Sequence, residues 1–337
     1  MRCTQVQVAE LPQGAVGPQH FELATVDLPR PGPGQVLVRN TWTSVDPGLR
    51  LRLRADAPAG YFAAFPVGRA MDGILTVGVV EESRADGFPV GSTVWHSYGW
   101  RSHALVDAGE VAMGGLASLR VLDVDRAPAS AYLGPLGAMG LTAYAGLSVI
   151  DALEGGGTLW VSAAAGAVGS LVCQIARQVG LRVVGSAEKV AWLREECGVD
   201  AAFNWRSGPL AESLRRAAPE GLDLYFDGVG GEHLEAALAA MNDGGRIALC
   251  GAVSEYEGSA AGPGNLFLAT SKNLTLRGFR GSAHVDLLDE MQRRVGGWMA
   301  AGDVSCPESV YRGLASAPTA IADMLAGRTR GKTLVEI

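Results

Sequence analysis

Leu159-Trp160-Val161-Ser162-Ala163-Ala164-Ala165-Gly166-Ala167-Val168-Gly169-Ser170 decides the fold. A short apolar run ends in small residues, and a helical pattern follows. The pattern is Ala-x-x-Gly-x-x-Gly, from Ala163 through Gly166 to Gly169, with Ala167 and Val168 between the glycines. Gly166 permits a backbone to approach a pyrophosphate, and Gly169 lets the helix pack tightly on the strand. The phosphates then sit at the helix N-terminus, where unsatisfied N–H groups and the dipole favour an anion. The spacing in this βαβ context predicts a dinucleotide site; the spacing alone also fits a purely structural turn. Residues 158–176 carry no charge, but their alanines and glycines read as a buried strand and turn rather than a membrane span.

Outward from this motif, strand-like runs alternate with helical ones. Strands are expected at 159–162, 182–185, 201–204, 222–227, 246–251 and 274–278, with helices at 171–179 and 233–241 among them. In the second helix Leu234, Ala237, Leu238 and Met241 share one apolar face. The alternation predicts an α/β fold with a doubly wound parallel sheet of the Rossmann type. Upstream the chain is β-rich. The turn Pro31-Gly32-Pro33-Gly34 precedes a strand at 35–40, and further strands are expected at 74–81 and 91–95 in a compact, barrel-like domain. Asp46 reads as a helix N-cap with Pro47 as first helical residue. A helix at 319–326 and a strand at 332–337 are expected to return to that first domain. The domain limits so read are 1–131 with 304–337, and 132–303.

Apolar residues make up 48% of the 337 and charged residues 19%, which suits two buried cores and argues against disorder. The formal charge of -7 and the lack of a basic run exclude nucleic acid as an expected partner. The five cysteines form no C-x-x-C pair and read as reduced thiols, and residues 1–10 do not read as a signal peptide. Cytoplasmic location and no membrane contact are therefore expected. Cys3 is the sole cysteine before Cys173, and His20, His96 and His103 have no ligand-like partners in sequence. No metal is expected.

The strand at 182–185 ends without the acid that commonly holds a ribose diol; Ser186 follows instead. Lys189 and Arg206 are candidates to clamp a 2′-phosphate, which points to NADPH. They also read as solvated surface charges, and Glu188 would serve a diol if turned inward.

Taken together, these segments resemble the zinc-independent medium-chain dehydrogenase/reductases, in the leukotriene/prostaglandin reductase and alkenal double-bond reductase group. The resemblance rests on Ser44-Val45-Asp46-Pro47, Leu133-Gly134-Pro135-Leu136-Gly137-Ala138-Met139-Gly140-Leu141-Thr142-Ala143-Tyr144 and the glycine motif. It continues through Glu188-Lys189-Val190, Tyr225-Phe226-Asp227-Gly228-Val229-Gly230-Gly231, Cys250-Gly251-Ala252-Val253-Ser254-Glu255-Tyr256 and Gly331-Lys332. It implies a GroES-like catalytic domain beside the Rossmann domain, a homodimer, NADPH, and hydride addition to an electron-poor alkene. By the same resemblance Lys189 contacts the 2′-phosphate, and Met139 and Thr142 line the cofactor cleft. Cys250, Gly251, Val253, Phe279 and Gly281 hold the nicotinamide, and Tyr256 faces the substrate. Departures are Trp205 for the usual Tyr, Gly228 and Thr329 for the usual Asn, and Gly48 for a Tyr that lines the substrate pocket beside Asp46.

With neither metal nor histidine placed for it, a phenol is the remaining candidate to stabilise developing negative charge. Tyr256 is the first choice and Tyr61 the second; both also read as residues that only shape the pocket. The expected substrate is a small molecule with a conjugated double bond, and Gly48 leaves room for a bulky one. Reductive ring closure of a polyene and quinone reduction are alternatives within the same class. A non-catalytic NADPH-binding protein is the alternative outside it.

Overall fold

The structure, a computed structural model, describes residues 1–57, 62–256 and 262–337. The chain forms two compact units, Met1–Ala138 with Pro307–Ile337, and Met139–Cys306.

The first unit opens with β1 (Arg2–Val8), paired antiparallel with β2 (Phe21–Asp27). The alternation at the N-terminus is a strand, with Val6 and Val8 buried on one face. The strand expected at 35–40 runs on as β3 (Gln35–Val45). Register shifts against β4 (Thr76–Ser83), between Leu37 and Val38 and between Asn40 and Trp42, let so long a strand curve. Next come α1 (Leu49–Arg52), then β5 (Thr93–His96), β6 (His103–Asp107) and β7 (Arg120–Val121). The helix start is a correction. The N-cap is Gly48, not Asp46, and no side chain caps α1. Asp46 is drawn away by a stronger partner, Lys332, described below.

The second unit begins with α2 (Ala138–Ser148) and carries β8 (Thr158–Val161), α3 (Ala167–Gln178), β9 (Arg182–Ser186), α4 (Val190–Glu195), β10 (Ala201–Phe203) and α5 (Leu210–Ala217). It continues with β11 (Leu222–Asp227), α6 (Gly231–Ala240), β12 (Met241–Leu249), α7 (Phe267–Ser271), β13 (Thr275–Gly278) and α8 (Leu288–Ala301). The six strands are all parallel, in the order β10-β9-β8-β11-β12-β13. Numbered from β8, this is 3-2-1-4-5-6, with the reversal between β8 and β11. The core joins Trp160, Val184 and Ile247 of the sheet to Leu214 of α5 and Ala237 and Leu238 of α6. Met241, expected to end the helix, is buried in this core as the first residue of β12.

The chain then returns to the first unit with β14 (Glu308–Arg312), α9 (Ala317–Leu325) and β15 (Lys332–Glu336). The sheet order there is β14-β15-β3-β4-β5-β7, with β6 also on β3. Ala317, Ala320 and Ile321 of α9 pack on Val6, Val8 and Val335. Among the described residues, no helix is long and apolar enough to cross a membrane.

Candidate functional site

The register of the parallel sheet ends its strands along one edge: Val161 lies beside Gly185 and Phe226, Phe203 beside Ser186, and Leu249 beside Asp227 and Gly278. The loops leaving that edge are 162–166, 187–189, 204–206, 228–230, 250–256 and 279–281. Every cofactor candidate of this unit except Met139 and Thr142, which lie on α2, falls on these loops, at strand ends beside them, or in the first turn of α3.

Ala163 adopts a left-handed φ of 48°, and Gly166 forms the N-cap of α3. At Gly169 an added Cβ would fall 2.4 Å from the Ala163 oxygen and 2.8 Å from the Ala164 Cα. The helix therefore packs on the strand as closely as the motif requires, and its first-turn N–H groups, Ala167 to Gly169, have no partner within the helix. Such a cradle suits a pyrophosphate.

Asp227 organises the point where the strand order reverses. Its buried Oδ1 accepts from the Tyr225 hydroxyl (2.8 Å), the Ser162 hydroxyl (3.3 Å) and the N–H groups of Val229 and Gly230 (2.9 Å each). Its carbonyl accepts from Cys250 N (2.9 Å) and Gly251 N (3.2 Å). Loops 228–231 and 250–256 are pinned further by Ser254 Oγ donating to the Val229 oxygen at 2.6 Å. Sequence reasoning quoted Asp227 within a motif without giving it this part. The available signal was an acid at a strand end directly before Gly-x-Gly-Gly.

Tyr256 lies in the same pinned loop. A Cβ on Gly251 would stand 3.3 Å from the Tyr256 hydroxyl, so the phenol folds back over the strand-end backbone. Burial and the nearby Asp227 push the Cys250 thiol up to about 12, so it is neutral and no acid at physiological pH. His233 stacks on Trp160 (5.8 Å) and burial lowers its pKa, which removes it as a cation. Phe279 meets Phe226 edge-on at 6.1 Å, and a Cβ on Gly281 would strike Thr142 Oγ1 at 2.4 Å, bringing that loop against α2. Met139 is buried at the start of the unit.

At the far end of the edge, Ser186 is buried and its Oγ accepts from Trp160 Nε1 at 3.1 Å. Lys189 occupies the N-cap position of α4. Arg206 lies over the Trp205 ring (4.7 Å) and pairs with Glu188 at 2.9 Å, both side chains more than half exposed. Glu188 is thus turned to Arg206. Gly228 sits with its virtual Cβ 3.7 Å from Ala163 Cβ, which is ordinary contact.

The substrate candidates of the first unit separate. Gly48 lines a cavity of about 130 Å³ that Asp46 does not line. Asp46 is buried, and its carboxylate takes Lys332 Nζ at 2.5 Å and the Ser44 hydroxyl. Lys332 also donates to Ser44 Oγ (2.7 Å) and the Val45 oxygen (3.0 Å). The pair clasps β15 to the end of β3. Thr329 is partly buried in the segment before β15. Tyr61 lies outside the described residues. His96 is buried; its Nδ1 accepts from Tyr98 N and its Nε2 donates to Asn40 Oδ1, both at 3.0 Å, and burial lowers its pKa to about 3. Among the described residues no three His, Cys, Asp or Glu side chains are grouped to hold a metal.

Two family models match the chain, one described as the N-terminal domain of oxidoreductase at residues 4–113, the other as zinc-binding dehydrogenase at 167–295. The chain is similar to prostaglandin reductase 1 of Mus musculus, at 39% identity over 94% of both chains. It is similar to the NADP(+)-dependent 2-alkenal reductase of Nicotiana tabacum, at 37% identity over 93% of this chain and 90% of that one. Among solved structures it is similar to CurA from Vibrio vulnificus in complex with NADPH, at 32% identity and a TM-score of 0.89 over 99% of this chain and 98% of that one.

Proposed function

The chain belongs to the medium-chain dehydrogenase/reductases, in the group of prostaglandin and alkenal reductases, and on that premise we propose that it is an NADPH-dependent reductase of conjugated carbon–carbon double bonds in an enone, enal or polyene. The observation that carries this reading is the Tyr256 hydroxyl folded over Gly251, on the same sheet edge as the glycine cradle. NADPH supplies the hydride when bound.

The residues present fit that cofactor. The first turn of α3 receives the pyrophosphate on backbone N–H groups, with Ala163 and Gly166 giving it room. Lys189 takes the 2′-phosphate and Arg206 joins it. Arg206 is released at little cost, because an exposed ion pair such as that with Glu188 is worth about 0–1 kcal/mol. A charge-assisted hydrogen bond to phosphate contributes about 1.5–3 kcal/mol. Trp205 flanks the adenine end. Cys250, Gly251, Val253, Phe279 and Gly281 position the nicotinamide by their backbones.

Addition of hydride to the alkene places negative charge on the conjugated carbonyl oxygen. Tyr256 donates a hydrogen bond to that oxygen; a phenol keeps its proton throughout the neutral range. The reaction needs no metal. Gly48, at the cavity wall, favours a second reading in which a folded polyene closes a ring after reduction. The protein works as a homodimer in the cytoplasm.

The test is NADPH oxidation in the presence of a simple enone, by wild type and by Tyr256→Phe. Enone-dependent oxidation is expected in wild type. In the variant, single-turnover reduction should fall about 10²–10³-fold with NADPH affinity kept. No enone-dependent oxidation by wild type would overturn the function, and an unimpaired variant would remove the phenol from it.

A further inference from the structure

The cavity of the first unit has apolar walls, including Gly48, Leu49 and Ile74, and two charged liners, Arg52 and Asp72. Both arginines near Asp72 have partners besides it that fix them in place. Arg52 donates from Nε to the Ala63 oxygen at 2.9 Å, and its guanidinium lies 3.7 Å over the Phe65 ring. Arg101 donates from Nε to the Gly99 oxygen (2.9 Å) and from Nη2 to the Met71 oxygen (3.2 Å) and to Asp72 Oδ1. Asp72 is thus fixed at one oxygen by a side chain that is itself fixed. Its side chain remains 33% exposed. Among the described residues, Oδ2 takes no hydrogen bond.

We propose that Asp72 is a specificity-determining residue whose Oδ2 accepts a hydrogen bond from a hydroxyl or N–H group that the substrate carries away from its reacting alkene. The inference rests on the reductase reading and on this cavity as its substrate pocket. Charge favours a neutral donor. The charges of Arg52 and Arg101 near Asp72 are matched by Asp72 itself and by Glu110, which accepts from the Tyr98 hydroxyl at 2.6 Å. An added ammonium or carboxylate would upset that balance, whereas a hydroxyl or amide would not. In a cavity with apolar walls a fixed acceptor selects by hydrogen bonding, because a partner lacking the donor leaves the acceptor desolvated and unmatched. Burial pushes the Asp72 carboxyl above its ordinary value, against the pull of Arg101 and Arg52 and with that of Glu110. A neutral carboxyl is the weaker acceptor, so the selection weakens as pH falls through that raised value.

The experiment compares two enones alike except for a terminal hydroxyl in one and a methyl group in the other. Wild type is expected to favour the hydroxylated enone about 10–100-fold in kcat/KM. Asp72→Val should erase the preference, so that the two enones are reduced with equal kcat/KM. Asp72→Asn retains an oxygen for Arg101 and guards against loss of the fold; it should show a diminished preference. No preference in wild type, or a preference that survives in Asp72→Val, would overturn the inference and leave the reductase reading standing. The matching saturated ketones are titrated against the same proteins with NADP bound. If neither enone is reduced, the reductase reading falls. Tighter binding of the hydroxylated ketone, lost in Asp72→Val, would still support the Asp72 contact, and equal binding would overturn it.

Discussion

The two units present candidate ligand sites made of different material. In Met139–Cys306 the surface is mostly backbone: the glycine turn, the N–H groups of α3 and the loops gathered on Asp227. In the other unit the cavity is made of side chains, with Asp72 and Arg52 fixed among apolar walls. The ion pairs differ in the same sense. Lys332–Asp46 is buried, at 1% and 2% side-chain exposure, and clasps two strands. Arg206–Glu188 is exposed at 63% and 56%, and is the pair with which the proposed 2′-phosphate would compete. A buried pair holds structure because breaking it strands a charge; an exposed pair is exchangeable because water screens it.

The contrast breaks most readily at the clasp. Lys332→Met leaves Asp46 buried without its cation and should cost about 3–5 kcal/mol in denaturant unfolding. Lys332→Met with Asp46→Leu, replacing both partners by apolar groups, should cost much less. A single variant as stable as wild type would show that the pair adds nothing to the antiparallel ladder between β15 and β3.

A smaller effect sharpens the other side. Lys189→Ala should weaken NADPH binding about 10–100-fold, the worth of one charge-assisted hydrogen bond, while NADH binding stays unchanged. Equal weakening of both cofactors would place Lys189 away from the 2′-phosphate.

How much was legible in the sequence follows the same division. Backbone sites need particular residues at fixed spacing, so Ala163, Gly166 and Gly169 could be read directly. The alternation of strands and helices gave the parallel sheet, since the polar and apolar periods of each element are local. Asp46 was misplaced as a cap because its partner, Lys332, is 286 residues away. Asp72 and Arg101 went unnoticed for the same reason: nothing local to Met71-Asp72-Gly73 signals a charge held at a cavity wall. Asp227 stood in plain view at the end of β11, but its hydrogen bonds reach back to Ser162 across the sheet, and only pairing brings the two together.

In the proposed reaction hydride adds to the alkene rather than to the carbonyl. The most direct measurement uses NADPH carrying deuterium at the transferable position, an enone, and analysis of the product. The expected product is a saturated ketone with one deuterium on the carbon β to the carbonyl. An allylic alcohol with deuterium on the carbinol carbon would contradict it.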